Sequence, residues 1–265
     1  MLFDLRGRRK RVVQVVYAML AVMMGASLFL VVGPVNLGDL VNGGSSSSDA
    51  ASVSMDRAAE LDKKLRQNPQ DQNLLLALTR ERITAGNNLA QIDPRTQAAI
   101  PTAESAQQYQ LAADAWDKYL KTSPSPPNPN VALLVANSLL SLAQTSTTAE
   151  EAKANAAAAG DAQLIYAHAK PSSGAFSTLA YYYYAALDFK DADAAAKQAE
   201  AVAKTKAERQ QVQATLASIR KQAKKFQQQL AAAKKAQQAQ PGQGKQQLEN
   251  PLGGLGGGGL GSPAP

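Results

Sequence analysis

The amino-acid sequence predicts an all-α protein that is fixed to a membrane near its N-terminus. Alanine and glutamine are abundant while aromatic residues make up 5% of the 265 residues, a composition that favours helix over sheet. Apolar residues recur three and four positions apart in many segments, which is the helical period, and residues 12–33 form an uncharged apolar run. We therefore expect one transmembrane helix, a flexible linker, an antiparallel array of helix pairs, a long C-terminal helix and a disordered tail.

The N-terminal residues predict an uncleaved signal anchor. Residues 1–11 form a flank with five basic side chains and one acidic one, directly before the 22-residue run 12–33. As a helix, this run spans roughly 33 Å, enough for a hydrocarbon core of about 30 Å. A cleaved signal peptide is the alternative, but its apolar core is usually about 7–15 residues long, and no small-x-small cleavage site follows here.

The charges on either side of this run predict its orientation. Asp39 and Asp49 are the first charged residues after it. The positive-inside rule therefore places residues 1–11 in the cytoplasm and the rest of the chain outside a bacterial cytoplasmic membrane. Residues 34–54 are rich in glycine and serine without an apolar face, which predicts a flexible linker. The lipid bilayer, contacted through residues 12–33, is one expected partner.

Residues 55–206 predict a helical repeat domain with one leading helix followed by three helix pairs. The leading helix is expected to end at Asn68-Pro69, because proline interrupts a helix. Residues 87–102 are polar and contain two prolines, which predicts an enlarged loop inside the first pair. The helices that follow are expected at 104–121, 131–143 and 148–169, with the last pair inside 173–206.

The last pair carries a repeat pattern. Its first helix places an aromatic residue, a leucine, an alanine and a tyrosine on one face, and alanines on the second helix allow close approach. This pattern resembles the tetratricopeptide repeat (TPR), a 34-residue helix–turn–helix unit. The matching residues are Phe176, Leu179, Ala180, Tyr183, Ala192 and Ala199, and an earlier match consists of Ala112, Trp116, Tyr119 and Pro124.

The resemblance to TPR proteins implies a groove lined by the first helix of each pair, where a peptide or helix of a partner protein binds. Tyr183 and Trp116 are expected in the core. The alternative for the tyrosine run is that all four rings pack between helices. The expected groove residues lack the full combination of lysine, asparagine and arginine with which some TPR domains bind a C-terminal carboxylate. We therefore do not expect this protein to bind a C-terminal carboxylate in that way. The expected groove residues are Tyr181, Tyr184, Asn73, Leu76, Arg80, Leu134, Ser138 and Ser141.

Residues 207–240 predict a long basic helix, and residues 241–265 a disordered tail rich in glycine and proline. Lys221, Lys224 and Lys225 fall opposite an apolar stripe. We favour a helix that caps the last repeat. Binding to an acidic partner, anionic lipid or wall polymer is the alternative, and a coiled-coil dimer is weaker because glutamines flank the stripe. The stripe consists of Val212, Leu216, Ile219, Ala223, Phe226 and Leu230.

Residues that carry chemistry are too few for an enzyme. The chain has no cysteine and one histidine, His168, near a predicted helix end, which excludes a thiolate nucleophile and a metal site built on paired histidines. Asp188, Asp191 and Asp193 fit no known cation loop and are expected in a solvated turn. Without a nucleophile–base set or a phosphate loop, we expect no catalytic, metal or cofactor-binding residues.

The charge distribution bears on the class of partner. The net charge of +7 resides mainly in residues 1–11 and 207–240, and the repeat domain is close to neutral. We therefore expect no nucleic-acid partner. The layout is similar to bacterial single-pass TPR proteins, including the ancillary subunit of the Sec translocon. This resemblance implies a membrane-tethered, extracytoplasmic scaffold or adaptor that mediates protein–protein interactions, with a role as a chaperone or in secretion. The alternative is a cell-envelope binding protein that uses the basic C-terminal helix.

Overall fold

Eight α-helices and a two-residue β ladder make up residues 47–92 and 99–239, which are the residues that the computed structural model describes. Gln91 lies opposite Ile100 and Ile92 opposite Ala99 in the antiparallel ladder. The predicted all-α class is confirmed. The helices are α1 Ser47–Gln67, α2 Gln72–Leu89, α3 Ala103–Lys121, α4 Pro129–Thr145, α5 Ala149–Ala169, α6 Ser173–Ala185, α7 Phe189–Val202 and α8 Lys206–Ala239, and the strands are β1 Gln91–Ile92 and β2 Ala99–Ile100.

Side-chain caps set the starts of the helices α2 to α7. At each start, the side-chain oxygen of an Asp, Asn, Ser or Thr residue accepts a hydrogen bond from a backbone N–H of the first turn. Such a cap stabilises a helix by about 1 kcal/mol. The sequence can encode these boundaries locally because cap and turn are neighbours. The capping residues are Asp71, Thr102, Asn128, Thr148, Ser172 and Asp188.

Consecutive helices pack against each other along the chain from α1 to α7. The helix α2 also contacts α4, and α8 contacts both α6 and α7. The contacts within α2–α3, α4–α5 and α6–α7 define three helix pairs, with α1 packed on α2 as a leading helix. The array therefore places α2, α4 and α6 as the first helices of successive pairs.

The packing changes character along the array. The core around α1 to α4 is built from large side chains such as Leu75, Ile83, Trp116 and Val135, all 3% exposed or less. The core of α6 and α7 is mostly alanine with a few large residues. Small residues let helices approach closely. Trp116 is buried, as predicted, and the repeat-pattern residues Phe176, Leu179, Ala180, Tyr183, Ala192 and Ala199 are all buried as well.

Two glycines lie directly beneath tyrosine rings on a neighbouring helix. A Cβ atom on Gly86 of α2 would lie 2.5 Å from Cε1 of Tyr109 on α3, and a Cβ atom on Gly160 of α5 would lie 2.5 Å from Cε1 of Tyr183 on α6. In both cases the tyrosine hydroxyl donates to the residue after the glycine: Tyr109 to Asn87 Oδ1 at 2.8 Å, and Tyr183 to Asp161 Oδ1 at 3.2 Å. We call these the first and the second glycine–tyrosine contact.

The helix α8 covers the last pair. Leu216 and Ala223 of the predicted stripe are buried, and Val212 and Ile219 pack against the core of α6 and α7. Phe226 packs against a further cluster that contains Ala185 and Ala186. The stripe is therefore used within the fold, as a capping helix requires.

Polar contacts hold α8 at two points. The Arg220 guanidinium donates from Nε and Nη2 to the two carboxylate oxygens of Asp193 on α7, at 2.9 and 2.8 Å. These hydrogen bonds lower the pKa of Asp193 below its ordinary value. At the start of α8, Ser173 donates to Glu208, which also accepts from the Lys204 backbone N–H at 2.8 Å.

Two predicted boundaries are wrong. The linker was expected to extend to residue 54, yet α1 begins at Ser47, with Ala51 fully buried and Ser54 only 4% exposed. The serines and small residues around Ala51 form no clear apolar face in the sequence, so its burial was not predicted. The expected loop 87–102 is shorter than predicted, because α2 continues to Leu89 and the β ladder follows.

Several predicted segments lie outside the described residues. These are the basic flank 1–11, the membrane span 12–33, most of the linker 34–54 and the tail 241–265. Among the residues that are described, no helix combines the length and the apolar character needed to cross a membrane.

Candidate protein-binding surface

The first helices α2, α4 and α6 each expose a narrow stripe to solvent. Asn73 and Arg80 on α2 are exposed, as expected for groove residues. Leu76 on α2, Leu134 on α4 and Tyr181 on α6 are half-buried, and all three pack against the same core cluster. Ser141 on α4 is also half-buried. Six of the eight predicted groove residues therefore retain exposed surface.

Tyr184 and Ser138 were expected to face the groove, and both expectations are wrong. Tyr184 is 2% exposed and Ser138 is 5% exposed. The Tyr184 hydroxyl donates to Asp193 Oδ1 at 2.6 Å, so the ring points toward α7 and α8. Ser138 donates to the Val135 carbonyl of its own helix at 3.0 Å. Tyr184 belongs to a core cluster that includes Leu216 and Ala223 of α8, and the local pattern of α6 carries no information about these distant partners.

The four consecutive tyrosines have different environments. Tyr182, Tyr183 and Tyr184 are buried, each with its hydroxyl bonded to an acceptor on another helix, whereas Tyr181 keeps part of its ring in solvent. Burial raises the pKa of all four hydroxyls above the ordinary value of 10.0. All four therefore stay protonated at neutral pH, and only Tyr181 offers contact area to a partner.

Two exposed asparagines on α4 are held by neighbouring elements. Asn137 Oδ1 accepts from the Tyr182 hydroxyl of α6 at 2.9 Å, and Asn130 Oδ1 accepts from Lys170 Nζ at 2.8 Å. A carboxamide is planar, so fixing its oxygen also orients its NH₂ group. Asn130, Leu134, Asn137 and Ser141 follow one another at spacings of four, three and four, which places them on one face of α4.

These asparagines were missed by the sequence interpretation. The sequence does show that they share a helix face with Leu134 and Ser141, and this spacing could have identified them as candidate surface residues. Their partners, Tyr182 and Lys170, are 45 and 40 residues away along the chain, so only the fold shows that their side chains are oriented.

Shallow clefts occur at other places on the array. Two mainly apolar clefts, of about 320 and 430 Å³, meet at the exposed His168, at the end of α5. Another of about 580 Å³ lies between the start of α5, the α6–α7 turn and α8. Of the three aspartates expected in a solvated turn, Asp188 is the N-cap of α7, whereas Asp193 lies on α7 and is paired with Arg220. Within 47–92 and 99–239, no group of three or more potential metal ligands is found.

The fold defines the protein as an all-α array of helix pairs with a surface stripe on each first helix. No protein-family model matches the sequence, and no curated protein or solved structure matches it significantly. Function is therefore inferred from the residues of this chain.

Proposed function

We propose that the protein is a membrane-tethered, extracytoplasmic TPR-like adaptor that binds an extended segment of a partner protein across α4 and α6. The observation that carries the proposal is the pair of oriented asparagines, Asn130 and Asn137. Their oxygens are engaged within the fold, so their NH₂ groups are available as donors to a ligand. Donors fixed in advance bind with less loss of entropy than mobile side chains.

The spacing of the two asparagines favours one backbone conformation of the ligand. Seven residues separate them, which is about 10.5 Å along a helix. In a polyproline II segment, carbonyls three residues apart point the same way and lie about 9.3 Å apart. A helical ligand would have its carbonyls occupied by internal hydrogen bonds. An extended peptide with a polyproline II conformation thus fits the pair best.

Half-buried apolar groups supply contact area next to these donors. Leu134 lies between the two asparagines on the same face of α4. The Tyr181 ring lies 5.8 Å from the ring of Tyr182, the residue that binds Asn137. Tyrosine provides a large contact area at a low entropic cost. The predicted signal anchor in residues 12–33 would keep this surface close to the membrane and raise its effective concentration there.

The test is peptide binding by the full chain. Peptides selected from a random display library would be measured against the wild type and against the double variant Asn130→Ala/Asn137→Ala. We expect binding to weaken about tenfold or more, because each lost hydrogen bond contributes about 0.5–1.5 kcal/mol. Gln198→Ala, an exposed amide that belongs to α7 and not to α4 or α6, is the matched control and should bind like the wild type.

Two further measurements decide whether binding occurs at this surface. The side-chain NH₂ signals of Asn130 and Asn137 should shift in NMR spectra when peptide is added. A photo-crosslinking phenylalanine analogue at Tyr181 should attach to the peptide, and the same analogue at Gln198 should not. Unchanged asparagine signals, together with equal affinity of the double variant, would contradict the proposal.

A further inference from the structure

The helix α8 presents a cationic surface to solvent. Residues 209–239 contain seven lysines and arginines and no acidic residue. Lys221, Lys224, Lys225 and Lys235 are all exposed. At 3.6 residues per turn, they lie on the side of the helix away from the buried residues Leu216 and Ala223. We call these four residues the lysine face. It extends for about 21 Å along the helix.

The other basic residues within 209–239 are engaged within the fold, or their side chains lie outside the described residues. Arg220 is paired with Asp193, and Arg209 Nε donates to the Glu200 carbonyl at 3.1 Å. The Asp193 carboxylate, already held by Arg220, also has a long-range electrostatic interaction with Lys224. The lysine face therefore carries an excess of positive charge toward solvent.

The composition of the face favours a diffuse anionic surface over a protein partner. The core of a protein interface is enriched in aromatic residues and arginine and depleted in lysine. The single aromatic residue of α8, Phe226, packs against the core, and the exposed residues between Lys225 and Lys235, such as Gln228, Gln229 and Ala232, carry neither a charge nor an aromatic ring. The lack of exposed aromatic rings also removes the stacking on which single-stranded nucleic-acid binding depends.

The position of the apolar stripe limits how α8 could meet a membrane. An amphipathic helix that inserts into a bilayer buries its apolar face in lipid. Here that face already packs on α6 and α7. Lysines at the surface of an anionic membrane act from the level of the head groups, without insertion, and their attraction is weakened by salt.

We infer that the lysine face of α8 binds the anionic head groups of a phospholipid bilayer and so holds the last helix pair against the membrane. The inference rests on charge and composition and is independent of peptide binding at α4 and α6. Each lysine near such a surface contributes about fivefold to binding. Removing four should weaken the association by a factor on the order of several hundred.

The test uses the full chain reconstituted into vesicles of phosphatidylcholine, with or without phosphatidylglycerol. Because the chain has no cysteine, Gln228→Cys provides a unique site for a fluorophore beside the lysine face. Energy transfer to an acceptor on lipid head groups should be higher when phosphatidylglycerol is present. It should fall to the phosphatidylcholine level at about 1 M salt, where the Debye length is about 3 Å. The same dye at Gln107→Cys on α3, also exposed, should respond much less.

Two charge variants provide the decisive comparison. Changing Lys221, Lys224, Lys225 and Lys235 to glutamine should abolish the response to phosphatidylglycerol. The matched control changes four exposed lysines on α1, α3 and α7, namely Lys63, Lys118, Lys121 and Lys197, and should leave it unchanged. Circular dichroism of both variants checks that the helices are intact.

Two results would overturn the inference. One is equal energy transfer from Gln228→Cys in both kinds of vesicle. The other is a dye response to soluble polyglutamate without a response to phosphatidylglycerol, which would assign the lysine face to an acidic polypeptide.

Discussion

The two glycine–tyrosine contacts share the same packing arrangement but differ in their electrostatics. In each contact, the tyrosine lies 23 residues after the glycine in the sequence, and its ring packs over that glycine. Its hydroxyl donates to the side chain of the residue that follows the glycine, which is Asn87 in the first contact and Asp161 in the second. The amide of Asn87 does not titrate, whereas partial desolvation raises the pKa of the Asp161 carboxyl and outweighs the hydrogen bond from Tyr183, which lowers it. The two contacts therefore have the same steric arrangement, whereas only the hydrogen bond of the second contact is expected to change in strength as the pH falls.

The two contacts also differ in what surrounds the glycine. Near Gly86, the Ser105 carbonyl oxygen lies 3.2 Å from where a Cβ atom would be, and the Ser105 hydroxyl donates to the Gly86 carbonyl at 2.7 Å. Near Gly160, the three closest atoms all belong to the Tyr183 ring. A backbone atom yields less readily than a ring, so the first contact is the more rigid of the two.

The largest effect is expected from adding a methyl group at either glycine. Gly86→Ala and Gly160→Ala force the tyrosine ring to move and weaken its hydrogen bond. Overpacking costs about 1–3 kcal/mol and a lost hydrogen bond about 1 kcal/mol, while alanine returns up to about 1 kcal/mol of helix propensity. We expect a net loss of about 2 kcal/mol in the free energy of unfolding, larger for Gly86→Ala, measured by urea denaturation.

Gly174→Ala is the matched control for these substitutions. No atom lies within 4 Å of a Cβ built on Gly174, so this substitution should be neutral or slightly stabilising. Unfolding of Gly86→Ala and Gly160→Ala at the urea concentration of the wild type would show that the contacts are not tight.

A smaller effect is expected from removing the tyrosine hydroxyls. Tyr109→Phe should cost about 1 kcal/mol at every pH, since its acceptor is a neutral amide. Tyr183→Phe should cost a similar amount at neutral pH, because hydrogen bonds to charged acceptors are stronger but this one is long, at 3.2 Å. Its cost should decrease in acid, as Asp161 becomes protonated. Urea denaturation of both variants at neutral and acidic pH measures the difference, and an equal pH dependence would contradict it.

The smallest effect is expected from Asp161→Asn, which converts the second contact into the chemistry of the first. A raised pKa means that the charged carboxylate is less stable in the folded chain, a penalty present above the folded-state pKa and absent below the ordinary value of 3.8. Asp161→Asn should therefore be more stable than the wild type at pH 7. The gain should be below about 1 kcal/mol, because Asp161 is exposed and solvent screens its charge. It should diminish as the pH falls.

Asp193→Asn is the control of opposite sign. Arg220 lowers the pKa of Asp193, so this pairing stabilises the fold at neutral pH and is lost as the pH falls through the folded-state pKa. Asp193→Asn should be less stable than the wild type at pH 7, and the deficit should shrink in acid. If Asp161→Asn and Asp193→Asn changed stability in the same direction at pH 7, the inference that one carboxylate destabilises the fold and the other stabilises it would be wrong.

Much of the fold could be predicted from the sequence, because the information is local. Caps such as Asp71 and Thr148 lie within three residues of the N–H groups that they satisfy, and the stripe from Val212 to Phe226 is visible as a period. The candidate surface was predicted only in part. Arg80 and Tyr181 are exposed, whereas Tyr184 and Ser138 are buried, because their burial depends on which way each helix turns toward its neighbours.

The sequence by itself determined the helical class, the starts of the capped helices α2 to α7 and the apolar stripe of α8, since each depends on residues within a few turns of one another. Only the tertiary structure decided which side chains are fixed by contacts within the fold and which remain exposed to solvent. It bonds Asn130 and Asn137 to residues at least 40 positions away and places Gly86 and Gly160 beneath tyrosine rings. It also uses the stripe of α8 inside the fold, which leaves the lysines in water. Contacts of this kind depend on how helices pack, and helical period alone does not encode them.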